Sequence, residues 1–331
     1  MTEKYDLIEE VYPGIFLNQI ILPNNPLKYI NNYIIKSRGE IAMVDSCFDL
    51  PESVARMEEL IDYHQIDLKQ LKLVCTHLHS DHTGMASRFT EKGTELFMST
   101  TDGNTVTAMV DARSPHWLRL NDHARWQGLA EDGLRIEDHP GFRYRPKEPL
   151  DFTPLDPGDR LTVGEYHFEI IDLRGHTPGM IGLYEPDHRL FFCGDHILGK
   201  ITPNITFWTM EFDALASYFE KLELVRTMEI KHLFSAHRFL IKDHRARIDE
   251  LFAHHKNRLD ESIACLRDRS PCTVRQVTKN LQWDISAKSW DDFPKPQKWF
   301  AAGEAHAHLE YLYHWGDCQR EERGGILYYS T

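Results

Sequence analysis

His77-Leu78-His79-Ser80-Asp81-His82 places four side chains capable of binding a metal within six positions. The segment follows Leu71-Lys72-Leu73-Val74-Cys75, an apolar run with the length and composition of a buried strand, so Thr76 falls at the strand's carboxyl end. That end of a strand is where open α/β layers present their sites. His77 and His79, two apart, can project to one side of the chain, while Asp81 and His82 turn toward a second point nearby. Imidazole and carboxylate suit zinc, and also iron or manganese, better than they suit copper(I). An isolated histidine would read as part of a polar surface turn; three histidines and an aspartate at this density point to a metal.

Three later segments carry the same signal. Arg174-Gly175-His176-Thr177-Pro178-Gly179 follows the apolar run over residues 168–172. Phe191-Phe192-Cys193-Gly194-Asp195-His196 ends another strand-like run, and Ile230-Lys231-His232-Leu233-Phe234-Ser235-Ala236-His237 ends a third. Each sets a histidine or aspartate just after hydrophobic residues, beside Gly, Ser or Thr, where a backbone turns sharply. Together the strand ends read as one constellation.

In this order of motifs, His-x-His-x-Asp-His, then His, Asp and His, the chain resembles the metallo-β-lactamase superfamily over roughly residues 10–240. The resemblance implies an α/β fold, a four-layer αββα sandwich. It assigns His77, His79 and His176 to a first metal, Asp81, His82 and His237 to a second, and Asp195 to a bridge between them. Within the superfamily the chain is most similar to the hydroxyacylglutathione hydrolase-like branch, because Asp195 stands where zinc β-lactamases often carry cysteine. The diiron flavoproteins carry glutamate where this chain has His79.

Composition fits a soluble enzyme with ample core. The chain has 331 residues, 41% of them hydrophobic, and no apolar stretch approaches the ~20 residues that span a bilayer. Residues 1–6 show neither a basic region nor a long apolar one, so no secretory signal is read there. Six scattered cysteines lack Cys-x-x-Cys spacing, which favours reduced thiols in a cytoplasm, and the apolar run around Cys193 makes it a strand residue rather than a ligand. Net charge is −13, residues 240–331 hold 14 basic and 14 acidic side chains, and no Lys/Arg-rich run occurs. The excess acid therefore lies upstream, which argues against nucleic acid as a partner.

Outside the ligands, residues 11–22 and 31–44 read as strands, the second with a turn at residues 36–40. Asp45, where it ends, and Thr76 are candidates to steady the ligand histidines from behind. Residues 51–64, 83–92 and 213–226 read as helices, 95–99 as a strand and 159–172 as a hairpin. Residues 100–150, rich in aromatic and charged side chains, are too long for a structureless loop and read as a mostly helical insertion over the metal cleft. Trp117, Trp126, Lys200, Phe207 and Trp208 are candidates to line a substrate pocket there. His116, His123 and His139 read as polar contacts, since the ligand set is already full.

This divides the chain into a catalytic domain, residues 1–240, and a smaller helical domain, residues 241–331. Helices are expected over residues 244–266, 273–277 (with Thr273 as a cap) and 304–314, then a terminal strand at 324–329. His308-Leu309, Leu312, Gly316 and the tyrosine-ending strand resemble the winged-helix-like tail of some β-lactamase-like hydrolases, including an endoribonuclease. A neutral tail of this kind suits packing on the catalytic domain or homodimerisation better than DNA.

Two divalent ions, zinc first and iron or manganese as alternatives, would activate a bridging hydroxide, with Asp81 both a ligand and the group that orients it. The expectation is a cytoplasmic dinuclear metal hydrolase acting on a small-molecule thioester or other acyl ester. An endoribonuclease-like phosphodiesterase, a lactonase or β-lactamase, and a diiron redox or oxygen-binding protein are the alternatives.

Overall fold

A computed structural model describes residues 7–331; residues 1–6, read above for a secretory signal, lie outside it. The first sheet runs β1 (Ile8–Tyr12), β2 (Ile15–Ile21), β3 (Tyr29–Ser37), β4 (Glu40–Val44), β5 (Leu71–Val74), β6 (Glu95–Met98) and β7 (Thr153–Pro154) in spatial order. Its first four strands are antiparallel, and pairing from β4 to β7 is parallel. The second sheet contains β8 (Arg160–Val163), β9 (Tyr166–Asp172), β10 (Ile181–Glu185), β11 (Leu190–Gly194) and β12 (His232–Ser235), with β11 and β12 parallel.

Side-chain alternation explains the layers. Along β3 and β4, Tyr33, Ile35, Ala42 and Val44 face the second sheet, where Phe168, Phe192 and Phe234 meet them. Ile34, Ile41 and Met43 face the other way, onto Met57 and Leu60 of helix α1 (Pro51–His64). That layer also holds α2 (Ser80–Thr83), α3 (Ala86–Thr90), α4 (Thr100–Met109), α5 (Pro115–Trp126) and α6 (Pro140–Arg143). On the far side, Phe191 and Cys193 of β11 pack under α7 (Ala214–Thr227) and α8 (His244–Arg269). Helix, sheet, sheet and helix are thus stacked as the expected αββα sandwich.

The chain closes with β13 (Cys272–Thr273), α9 (Val274–Asn280), α10 (Lys295–His314), β14 (Gln319–Arg323) and β15 (Ile326–Ser330). Their strands form a three-stranded sheet, order β13-β15-β14, over a core of Leu266, Val277, Leu309, Leu327 and Tyr329. Thr273 caps α9, and Gln276 returns the bond to the Thr273 backbone.

Several element boundaries differ from the sequence reading. The strand expected over residues 11–22 is two strands, because the chain reverses at Pro13 and at Gly14, whose φ is +70°. The helix expected over residues 83–92 breaks into α2 and α3 at Gly84, which packs on the Cys47 carbonyl too closely for a side chain. Helix α10 begins at Lys295 rather than 304, and the chain ends in a hairpin, with β14 preceding the one strand expected there. No helix among the described residues is long and apolar enough to cross a membrane. All six cysteines are buried and free.

The 100–150 segment is mostly helical, and the C-terminal elements hold it in place. The Asp132 carboxylate accepts from Arg275 Nε and Trp290 Nε1, both at 2.7 Å, and from Lys298 Nζ at 3.3 Å. Lys295 reaches Asp138 at 2.9 Å, and the Arg275 N–H donates to the Gln127 carbonyl at 3.0 Å. Removing one partner from such a buried charge cluster is expected to destabilise by about 3 kcal/mol. Asp132→Ala should therefore lower the urea midpoint clearly, and an unchanged midpoint would show that the two regions are not coupled.

Buried imidazoles set a pH dependence. Burial pushes His123 down to about 3 and His308 to about 4. Both fall below the unfolded value of about 6.5, so the unfolded chain binds more protons between the two values. Stability should be full near neutral pH and fall as pH drops from about 6.5 toward 4, by up to about 1.4 kcal/mol per group per pH unit. Urea midpoints that stay flat across that window would contradict it.

Candidate metal centre

The seven donors come from strand ends and turns and converge at one rim of the sandwich. Thr76 follows β5, and the next residues leave the sheet; Asp195 follows β11 and His237 follows β12. Gly194 has φ +49°, and a Cβ there would lie 2.7 Å from Thr76 Oγ1. Glycine is what lets the Asp195 turn close onto the His77 turn.

Two nests of donors result. His77 Nε2 lies 3.0 Å from His79 Nδ1, which lies 2.9 Å from His176 Nε2. In the second, His237 Nε2 lies 3.4 Å from Asp81 Oδ2, and His82 Nε2 lies 3.9 Å from that oxygen. Asp195 stands between: Oδ1 is 3.4 Å from His237 Nε2 and 3.6 Å from His82 Nε2, while Oδ2 is 3.7 Å from His176 Nε2. The Nε2 atoms of His82 and His237 and Asp195 Oδ1 are buried without a hydrogen-bond partner. Orphaned buried donors at this spacing suit a cation, and nitrogen with carboxylate oxygen is a zinc-type set.

The outer ring nitrogens are held by the protein. Thr76 Oγ1 lies 3.1 Å from His77 Nδ1, and Asp45 Oδ2 lies 2.9 Å from His82 Nδ1. His176 Nδ1–H donates to the Asn204 carbonyl at 2.8 Å, and His237 Nδ1–H to the Tyr29 carbonyl at 3.0 Å. With these protons placed outward, Nε2 of His176 and His237 presents a lone pair inward. Asp45 has a left-handed backbone, φ +62°, held by Asn32 Nδ2 on its carbonyl at 2.6 Å and its own N–H on the Val74 carbonyl at 2.8 Å.

Electrostatics separates the two nests. Burial and neighbouring imidazoles push His77 well below its ordinary range and His79 to about 3; burial likewise lowers His176. Burial opposes charge on His82 and His237 too, but nearby carboxylates raise both, Asp45 and Asp195 foremost for His82, Asp195 and Asp81 for His237. Burial would raise Asp81, yet His82 and His237 hold it at about 2, and the same pair of rings lowers Asp195. The first nest is thus an all-imidazole set, and the second pairs imidazoles with carboxylates.

The remaining candidates scatter. Trp208 lies against the cluster: its indole stacks at 6.3 Å from the His79 ring, and its Nε1 donates to the His176 carbonyl at 3.2 Å. His116 packs 6.4 Å from Trp208. Trp117 is instead core, 1% exposed, its Nε1 bonded to the Met109 carbonyl at 2.8 Å. Trp126 packs on the C-terminal core, and Phe207 stacks 3.8 Å from His306. Lys200 is exposed, with φ +73°. His196 packs on Tyr218, and Cys193 is sealed in the interior with its thiol pushed up to about 12 by burial.

Asp102, at the start of α4, is a residue of this site that sequence reasoning missed. Its Oδ2 accepts from the Leu78 N–H at 3.0 Å and from Thr177 Oγ1 at 2.6 Å, and its Oδ1 accepts from the Gly179 N–H at 2.8 Å. One carboxylate thus ties the loop of His77 and His79 to the loop of His176. Burial pushes its carboxyl up to about 6 against the pull of those donors. The sequence signal was Ser99-Thr100-Thr101-Asp102, a helix-cap pattern in which Ser99 does accept from the Asp102 N–H.

Residues 103–237 match the family model described as Metallo-beta-lactamase superfamily, a stretch that holds His176, Asp195 and His237. An acyl-coenzyme A thioesterase of Gallus gallus is 26% identical over 132 residues, 38% of this chain and 42% of that protein. A beta-lactamase-like protein 2 homolog of Caenorhabditis elegans is 26% identical over 40% of this chain and 43% of its own, so the matches span under half the length of these two relatives. A hydroxyacylglutathione hydrolase of Legionella pneumophila (strain Lens) is 28% identical over 78% of this chain and 81% of its own. Among solved structures, a metallo-beta-lactamase family protein from Thermus thermophilus has a TM-score of 0.79 at 23% identity, covering 97% of this chain and 99% of that one. That likeness of fold extends through the C-terminal helices.

Asp102→Asn would turn an amide N–H toward a donor in either orientation. A loss of about 1–3 kcal/mol is expected, with weaker retention of metal by the folded protein. Equal stability and metal content in the variant would show that the two loops hold themselves.

Proposed function

The chain carries a metallo-β-lactamase superfamily domain, and from that premise we propose that it is a dinuclear metal-dependent hydrolase acting on a thioester or other acyl ester of a small molecule. The observation that carries the reading is Asp195, whose two oxygens turn to two separate nests of buried donors. His77, His79 and His176 would hold one ion, Asp81, His82 and His237 the other, and Asp195 would bridge them. Zinc suits this donor set first, and iron and manganese also accept it.

Two such ions supply a water acidic near neutral pH and a Lewis acid for the carbonyl. The chain supplies placement. Asp81 would orient the attacking water's proton, Asp45 and Thr76 hold the His82 and His77 rings, and Trp208 stacks on the His79 ring with His116 beside it. The thioester preference draws on the relatives, named as an acyl-coenzyme A thioesterase and hydroxyacylglutathione hydrolases. Net charge of −13 weighs against RNA as substrate.

Purified protein is expected to contain two equivalents of metal and to cleave members of a thioester panel faster than lactones, phosphodiesters or RNA. Asp195→Ala should lose metal and activity together. Two equivalents retained in that variant would end the bridging role, and a phosphodiester preferred over every thioester would end the acyl assignment.

A further inference from the structure

The loop over residues 199–208 contains Asn204, whose carbonyl accepts the His176 Nδ1 proton, yet it has no regular structure. Three hydrogen bonds anchor it to one face of α10. Asn204 Nδ2 donates to Glu304 Oε2 at 2.9 Å and to the Phe300 carbonyl at 3.3 Å, and the Phe207 N–H donates to the Gly303 carbonyl at 3.0 Å. Positions 300, 303 and 304 share a helix face. Gly303 permits the approach, since a methyl group there would overlap the Thr206 hydroxyl.

Glu304 is an unusual residue to find at such a contact. It is 7% exposed, and its charge is met from α8 by Arg258 Nε at 3.4 Å and His254 Nε2 at 3.8 Å. Arg258 is itself pinned, its Nη1 donating to the Gln282 carbonyl at 2.6 Å and its guanidinium lying 4.1 Å from the Trp283 ring centre. Burying a carboxylate is costly, and apolar packing would hold helix to helix as well. What the carboxylate adds is a directed acceptor for the Asn204 amide.

We propose that Asn204 and Glu304 are positioning residues through which the C-terminal helices α8 and α10 orient His176 toward the first metal. Glu304 fixes the Asn204 side chain, Asn204 thereby fixes its own carbonyl, and that carbonyl fixes the His176 ring and its tautomer. The role is geometric. It rests on the reading of His176 as a ligand.

The test is EDTA titration of the metal-loaded full-length protein, counting retained equivalents by elemental analysis and recording Tm for each variant. Asn204→Ala keeps the backbone carbonyl but cuts the tether. It should release one of the two equivalents at roughly tenfold lower EDTA or less, the effect expected of partners behind a ligand, while the second equivalent stays. Glu304→Gln retains an acceptor oxygen and should hold metal better than Glu304→Ala. Val277→Ala, in the C-terminal core, should lower Tm without shifting the EDTA profile. Wild-type EDTA behaviour in Asn204→Ala, or loss of both equivalents in step with Tm in every variant, would overturn the tether. His176→Ala separates the two ideas. If it keeps both equivalents, the ligand reading fails and takes the proposal with it; if it loses one while Asn204→Ala does not, the tether alone fails.

Discussion

Five imidazoles and two carboxylates, all buried except the half-buried His79, lie within a few ångströms of one another, and the protein must keep them from neutralising the site by themselves. Nitrogens as close as 2.9 and 3.0 Å have either to share protons or to share a cation. The chain favours the second outcome by occupying the outer nitrogen of each ring it can reach. Thr76, Asp45, the Asn204 carbonyl and the Tyr29 carbonyl do so for His77, His82, His176 and His237. Once the outer side is committed, the inner lone pair is the group left over. Four distant segments must therefore be in register before the site exists.

That demand accounts for the strained and close-packed positions around the rim. Asp45 adopts a left-handed backbone so that its carboxylate can meet Thr76 and His82 together, and Asn32 and Val74 hold it there. Asp102 works across the rim, its carboxylate shared between the turn of His77 and His79 and the turn of His176. A carboxylate that accepts backbone N–H groups from two loops substitutes for a strand that neither loop can join.

The segments outside the sandwich follow the same logic. The insertion, expected over the metal cleft, is clamped through Asp132 to Arg275, Trp290 and Lys298. Trp117 is consequently core, while Trp208 takes the place beside His79. The C-terminal helices reach the centre from behind, through the loop that carries Asn204.

The sequence by itself determined the types and order of the side chains that cluster at the rim, and the alternation that stacks two sheets between helices. These are local properties: a histidine after an apolar run, or Ile34 and Tyr33 facing opposite ways, needs no distant partner to be read. It placed Thr76 and Asp45 behind the clustered histidines because each sits at a strand end. It missed the break at Gly84, the start of α10 and the strand β14, where tertiary packing overrides propensity. It also missed Asp102, Asn204 and Glu304. An aspartate in a helix's first turn, an asparagine in a loop and a glutamate in a helix are each ordinary, and their significance is a hydrogen bond to a residue 24, 28 or 100 positions away. Only the fold decides which of many ordinary polar side chains meets which loop, because such bonds depend on spatial approach and leave no periodicity in the chain.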